Sequence, residues 1–328
     1  MNNINNVFDC QVNYGKSAFG PNCDLDTYMT YAPKEITKVL LIPTLTHITT
    51  YDDGITETSC VWSRKDNSTI YSTELFEENH NIVNILNPTN PYRKMNIFTL
   101  KKVHALNNTT SLNKKFYFAP KIHPILDNIH ALEDMLDNDV VKALKINGLA
   151  SACGPKDIPK WLINISKTYD LPLFVHTDFN NVTSNFNFLS YLMNINNPHD
   201  WYEFALQNNI KIILAHGARG DLTTLRKINK TNNIFVGLGP DLMLNAEKDR
   251  LLLKEKDYLS EVLLNCSSKK LLFCTDYRWN VENRLNWDGP DLDWESINRL
   301  ETIANNIGLK KEDIQNILYN NACDFFKC

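Results

Sequence analysis

Short apolar runs rich in β-branched residues recur along the chain and alternate with stretches whose apolar positions repeat every three to four residues. The first pattern suits strands, and the second suits amphipathic helices packed on them. The runs fall at 7–12, 38–43, 115–120, 143–146, 172–176, 211–215, 234–236 and 270–274. They are apolar on both faces, as parallel strands covered by helices must be, whereas an antiparallel meander would alternate strictly. Helical spacing covers 129–138, 159–169, 200–207, 222–229, 258–264, 294–306 and 311–326. Eight such strands with helical crossovers predict an α/β fold, a (β/α)8 TIM barrel that forms one domain over 1–328. Two intervals, 44–114 and 177–198, are longer than one crossover needs, and they predict insertions over the C-terminal mouth of the barrel.

Composition narrows the picture. With 328 residues, 43% of them hydrophobic, the chain can bury a large core. Lys and Arg number 34 against 38 Asp and Glu, without the basic excess that binding to nucleic acid rewards. No apolar run approaches the ~20 residues that span a bilayer, so no membrane partner is expected. The polar start, Met1 to Phe8, lacks the basic and apolar regions of a secretory signal, and the expected location is cytoplasmic. Eight cysteines lie far apart with no CxxC pair, which reads as reduced thiols. The expected partner is a small-molecule substrate; a homodimer stays open.

In a barrel of this kind the chemistry sits where the strands end. The first run ends Asp9-Cys10-Gln11-Val12-Asn13-Tyr14, the fifth Phe174-Val175-His176-Thr177-Asp178, the sixth Ala215-His216-Gly217 and the eighth Cys274-Thr275-Asp276. His176, His216 and Asp276 are therefore the expected catalytic residues. Lys145 ends the fourth strand, and Arg219 and Arg278 follow the sixth and eighth; with Tyr14 they are candidates to hold an anionic substrate. Lys121 and His123 read better as a solvated loop, Cys10 and Cys153 as structural thiols, and His47 and Asp241 are candidates by position alone.

Five short segments carry a family resemblance: Lys145-Ile-Asn-Gly, Phe174-Val-His-Thr-Asp, Ile213-Leu-Ala-His-Gly, Leu272-Phe-Cys-Thr-Asp-Tyr and Ile317-Leu-Tyr-Asn-Asn-Ala. In this order and spacing the chain resembles the amidohydrolase superfamily, in particular the amidohydrolase-related branch that contains aminocarboxymuconate-semialdehyde decarboxylase. The resemblance implies a hydrolase of a C–N or C–O bond in a small carbonyl or carboxylate compound. It also implies one divalent metal (Zn, Mn or Fe) held by two strand-one histidines with His176 and Asp276, with Asp276 as general base. This chain departs from that set, because Gln11 and Asn13 stand at both histidine positions. They would be either weak metal ligands beside His176 and Asp276, or hydrogen-bond partners that fill a vacated site. A weakened, altered or absent metal site is expected. Without a metal, His216 or Asp276 would deprotonate water directly while Lys145, Arg219 or Arg278 stabilises the oxyanion. Two other readings stand beside hydrolysis: a degenerate barrel kept as a binding or interaction module, and a decarboxylase on the same scaffold.

Overall fold

The computed structural model of the protein describes residues 6–15, 25–44, 48–51, 53–58, 60–65, 68–76, 82–109, 113–177, 195–239, 258–276 and 292–328. Two parallel sheets form its centre. Strands β1 (Val7–Tyr14), β2 (Ile36–Pro43) and β8 (Lys115–Phe118) pair in that order. A six-stranded sheet runs from β9 (Lys121–Ile122) through β10 (Leu144–Ile146), β11 (Leu173–Val175), β12 (Ile212–Leu214) and β13 (Ile234–Gly237) to β14 (Leu271–Leu272). β8 and β9 are two halves of one segment, separated only by Ala119 and Pro120. Pro120 has no N–H to give a ladder, but its carbonyl still accepts from Lys145 N–H at 2.8 Å. At the other margin, Cys10 N–H donates to Phe273 O at 2.9 Å and links β1 to the residue that follows β14.

Side chains alternate between two buried layers, as the pleat requires. Leu40, Ile42, Tyr117, Phe174, Ile213 and Cys274 belong to one apolar cluster. Their chain neighbours Val39, Leu41, Phe116, Val175, Ile212 and Phe273 belong to a second, together with the helix residues Leu162, Trp201, Leu225 and Leu300. Strands buried on both faces explain why the expected runs were so uniformly apolar. The covering helices are Lys160–Thr168, Pro198–Asn208, Leu222–Ile228, Tyr258–Asn265 and Leu292–Asn306, each close to its expected range. Asp221 starts the third of these by accepting from Thr223 N–H and Thr224 N–H at 3.1 and 3.2 Å, the usual use of Asp at an N-cap.

Two expectations need correction. The helix expected at 129–138 is a single 3-10 turn, Ile129–Ala131, followed by isolated turns. Its second half is rich in Asp and Asn, whose side chains compete for backbone groups; Asn138 Oδ1, for example, accepts from Val140 N–H at 3.2 Å. The long interval after β2 holds an antiparallel sheet of β3 (Ile48–Thr50), β4 (Thr56–Thr58), β5 (Val61–Lys65), β6 (Ser68–Phe76) and β7 (Ile82–Leu86), and then a helix, Arg93–Asn107, none of which the chain pattern had announced. Tyr71 of β6 donates its O–H to Ser151 O at 3.0 Å, at the end of the short helix Gly148–Ser151 that follows β10. The sheet thus rests at the strand ends where the candidate residues lie. The second long interval falls outside the described residues at 178–194.

Candidate active site

A bulge in β1 builds one wall of the site. Asp9 faces Val39 on β2, but Val12 faces Leu41, so β1 carries one residue more than its partner between these points. The extra residue shifts the facing of the chain. Asp9 and Val12 stay with the outer layer, while Gln11 and Asn13 both reach Asp276. Gln11 Nε2 donates to Asp276 Oδ1, and Asn13 Nδ2 donates to the same oxygen at 2.8 Å. An amide oxygen turned toward that carboxylate would be repelled, so the N–H orientation follows from the chemistry of the pair.

The same alternation places the other groups. Two residues beyond Phe174 stands His176, and two beyond Cys274 stands Asp276, each at the end of an inward-facing series. His216 Nε2 lies 3.2 Å from His176 Nδ1 and 3.9 Å from Asp276 Oδ2. All three side chains are buried, at 6%, 4% and 2% exposure for His176, His216 and Asp276. Thr177 ties the two histidine-bearing strand ends together by donating its hydroxyl to Ala215 O. His216 and Asp276 have φ of +53° and +50°, a region that costs energy for any residue with a Cβ and recurs at functional sites. Gly217 and Gly220 relieve part of that cost in the left-handed turn that follows His216.

Asp9 braces the wall from behind. Its carboxylate accepts from Thr275 N–H at 2.9 Å, Thr275 Oγ1 at 2.6 Å, Tyr28 O–H at 3.1 Å and Gln11 N–H at 3.3 Å. It therefore holds β1 to the residue before Asp276. Burial raises its carboxyl to about 6, and these donors pull the other way. In the sequence, the signal that marks Asp9 is a charged residue set inside an otherwise largely apolar run.

Gly239 fixes the other side of His216. A Cβ at this position would stand 2.8 Å from His216 Nδ1, so the ring would have to move. Gly239→Ala is expected to lower kcat about 10–100-fold, the usual result of a displaced reacting group, while thermal melting stays within a few degrees of wild type. Unchanged turnover would separate catalysis from the position of His216.

Lys145 and Lys121 are register partners on β10 and β9, and both are buried. Lys145 Nζ lies 4.3 Å from the centre of the Phe174 ring, and Lys121 Nζ lies 4.1 Å from that of Tyr92. The solvated loop expected at Lys121 and His123 is a correction: they are 2% and 0% exposed. The Asn96 amide pairs with both backbone groups of Lys121, at 2.8 and 2.9 Å, and the Tyr71 ring stands 4.7 Å from His123, so the helix 93–107 and the antiparallel sheet cover them. Burial lowers Lys121 to about 7 and His123 to about 3, and it raises Asp127 to about 7. A base depressed in the fold contributes stability above its unfolded pKa, and that stability is lost as pH falls through 7. Lys121→Met is therefore expected to gain about 1–3 kcal/mol at pH 7 and to flatten the rise in stability between pH 7 and 10. Denaturant unfolding at the two pH values checks it.

Tyr14 is half-buried on the face of β1 opposite Asn13 and packs with the outer apolar layer. Burial, and then the charge of Asp26, raise its phenol above the ordinary range. Arg219 is half-buried in the turn after His216. Arg278, His47 and Asp241 lie outside the described residues.

The donor set does not fit the divalent ion that the resemblance implied. Both strand-one positions present N–H groups to Asp276, where a cation would need lone pairs, and these donors occupy one of its two carboxylate oxygens, Oδ1. Among the described residues, no three His, Cys, Asp or Glu side chains gather in a metal-holding group.

The fold these residues stand on is that of amidohydrolase structures. A structure named amidohydrolase II superposes with a TM-score of 0.52 at 10% identity, covering 98% of this chain and 100% of that one. A Pseudomonas putida structure named for 2-pyrone-4,6-dicarboxylic acid hydrolase gives 0.55 at 10%, covering 98% of each chain. The 5-carboxyvanillate decarboxylase of Novosphingobium aromaticivorans, with bound manganese, gives 0.50 at 8%, covering 89% of this chain and 78% of that one. No protein-family model and no curated protein matches the sequence. No described helix is long and apolar enough to cross a membrane.

Proposed function

We propose that the chain is a hydrolase of a C–N or C–O bond in a small carbonyl or carboxylate compound, acting in the cytoplasm on one amidohydrolase-type (β/α)8 barrel closed by the contact of β1 with the end of β14. The observation that carries this reading is the buried contact of His176, His216 and Asp276 at three strand ends. Of the two facing imidazole nitrogens, one holds a proton and the other accepts it. The pair can take a proton from water while the nearby Asp276 charge offsets the imidazolium that forms. The hydroxide adds to the carbonyl carbon, the C–N or C–O bond breaks, and the imidazolium returns the proton to the leaving atom. Lys145 supplies a buried cation for the oxyanion or for a substrate carboxylate. Gln11 and Asn13 hold Asp276 in place of metal ligands, so no step is routed through an ion.

Incubating the purified chain with a panel of lactones, esters and amides bearing a carboxylate tests the proposal, with product followed by mass spectrometry. Hydrolysis of at least one class is expected. A second reading, a degenerate binding module, is favoured by the two amides spent on Asp276; saturable binding of panel members without turnover would install it instead. Release of carbon dioxide in place of hydrolysis would make the chain a decarboxylase.

A further inference from the structure

The opposite pole of the strands holds a group of reactive side chains that this chemistry leaves unused. The last helical segment, Asn321–Phe326, ends at Lys327 with φ +52°, and Cys328 N–H then donates to Cys323 O at 3.1 Å. This is the six-to-one bond of a Schellman ending, which folds the chain back so that residues five apart meet. Here those residues are both cysteines. That 3.1 Å bond holds the two residues side by side, where a disulfide needs Cα atoms ~4.4–6.8 Å apart, and each thiol acts on the charge of the other. Lys38, from the start of β2, donates Nζ–H to Cys323 Sγ at 3.2 Å and stands 5.1 Å from the centre of the Tyr319 ring. Tyr319 faces Cys323, and Tyr117 of β8 faces Cys328. Both cysteines are partly exposed, whereas Cys10, Cys60, Cys153, Cys266 and Cys274 are buried.

We propose that Cys323 is a peroxide-reactive thiolate and that Cys328 captures its oxidation product as a reversible disulfide. The thiolate sulfur attacks one oxygen of the peroxide; the S–O bond forms, the O–O bond breaks and water leaves after protonation. The Cys328 sulfur then attacks the sulfenic sulfur, a second water leaves, and two thiols have been oxidised for one peroxide reduced. A reducing thiol reopens the bond by exchange.

The local electrostatics agree with this division of roles. Hydrogen bonds from Cys328, Lys38 and Tyr319 lower the Cys323 thiol to about 6 against the effect of burial, and Cys328 is pushed far up. A helix C-terminus disfavours an anion, so Lys38 is the group that holds the thiolate there. Burial raises the other described thiols, Cys60 and Cys266 to about 12, which leaves them little thiolate to react.

Treating the reduced full chain with a few equivalents of hydrogen peroxide tests the proposal. A loss of about 2 Da is expected, with peptide mapping placing the link between Cys323 and Cys328 and dithiothreitol reversing it. In Cys328→Ser, a dimedone adduct should form at Cys323. Lys38→Met should slow alkylation of Cys323 by iodoacetamide about tenfold at pH 7 without changing the melting profile by more than a few degrees. A link between other cysteines, no loss of mass, or alkylation of Cys323 unaffected by Lys38→Met would overturn the proposal.

Discussion

Asp276→Asn and His216→Asn are each expected to lower kcat/KM by about 10³-fold or more on whichever substrate the wild type turns over. Asparagine matches the shape of Asp276 and still offers an oxygen to the Gln11 and Asn13 amides that bond Asp276 Oδ1, so the wall of the site should survive. What it removes is the negative charge that stands 3.9 Å from His216 Nε2. In His216→Asn the 3.2 Å contact with His176 Nδ1 is lost, and with it the shared proton. Because the residues act together, the double variant should fall little below the worse single one. Steady-state kinetics, with circular dichroism to confirm folding, decides the matter. Activity within threefold of wild type in either folded variant would remove the triad from the chemistry.

The largest stability effect is expected at Asp9. Asp9→Ala leaves the backbone N–H and the hydroxyl of Thr275 buried without their acceptor, and such orphaned groups cost about 1–3 kcal/mol each. A loss of about 3–5 kcal/mol is expected from denaturant unfolding at pH 5. The pH dependence has a definite sign. Folding raises the Asp9 carboxyl from 3.8 to about 6, so its titration contributes stability below the unfolded value that is lost as pH rises through 6. The gap between wild type and Asp9→Ala should therefore narrow from pH 4 to pH 7. A gap that widens over that range would mean that Asp9 is held ionised by its donors.

Much of the parallel core was legible in the chain, because a strand buried on both faces leaves an uninterrupted apolar run, as at 212–215. The positions of His176, His216 and Asp276 were legible for the same reason: each histidine is the first polar residue at the end of such a run, and Asp276 follows Thr275 directly after another. The antiparallel sheet of 48–86 was not, since strands such as Ser68–Phe76 are half-exposed and mix polar with apolar residues. The helix 93–107 also escaped, because Asn96 and Thr99 interrupt its buried stripe of Met95, Leu100 and Val103. The facing of Gln11 and Asn13 depends on a one-residue bulge, which strict alternation cannot foresee. Burial of Lys121 and His123 depends on Asn96 and Tyr71, supplied by segments whose structure the pattern did not reveal.

Two amides donate to Asp276 in the arrangement proposed to stand in place of a bound metal. Elemental analysis of the gently purified chain and of Gln11→His/Asn13→His, each dialysed against zinc, manganese and iron(II), tests it directly. Far less than one ion per wild-type chain is expected, and about one per chain in the double variant, in which imidazoles join His176 and Asp276. Roughly one tightly held ion in the wild type would contradict it.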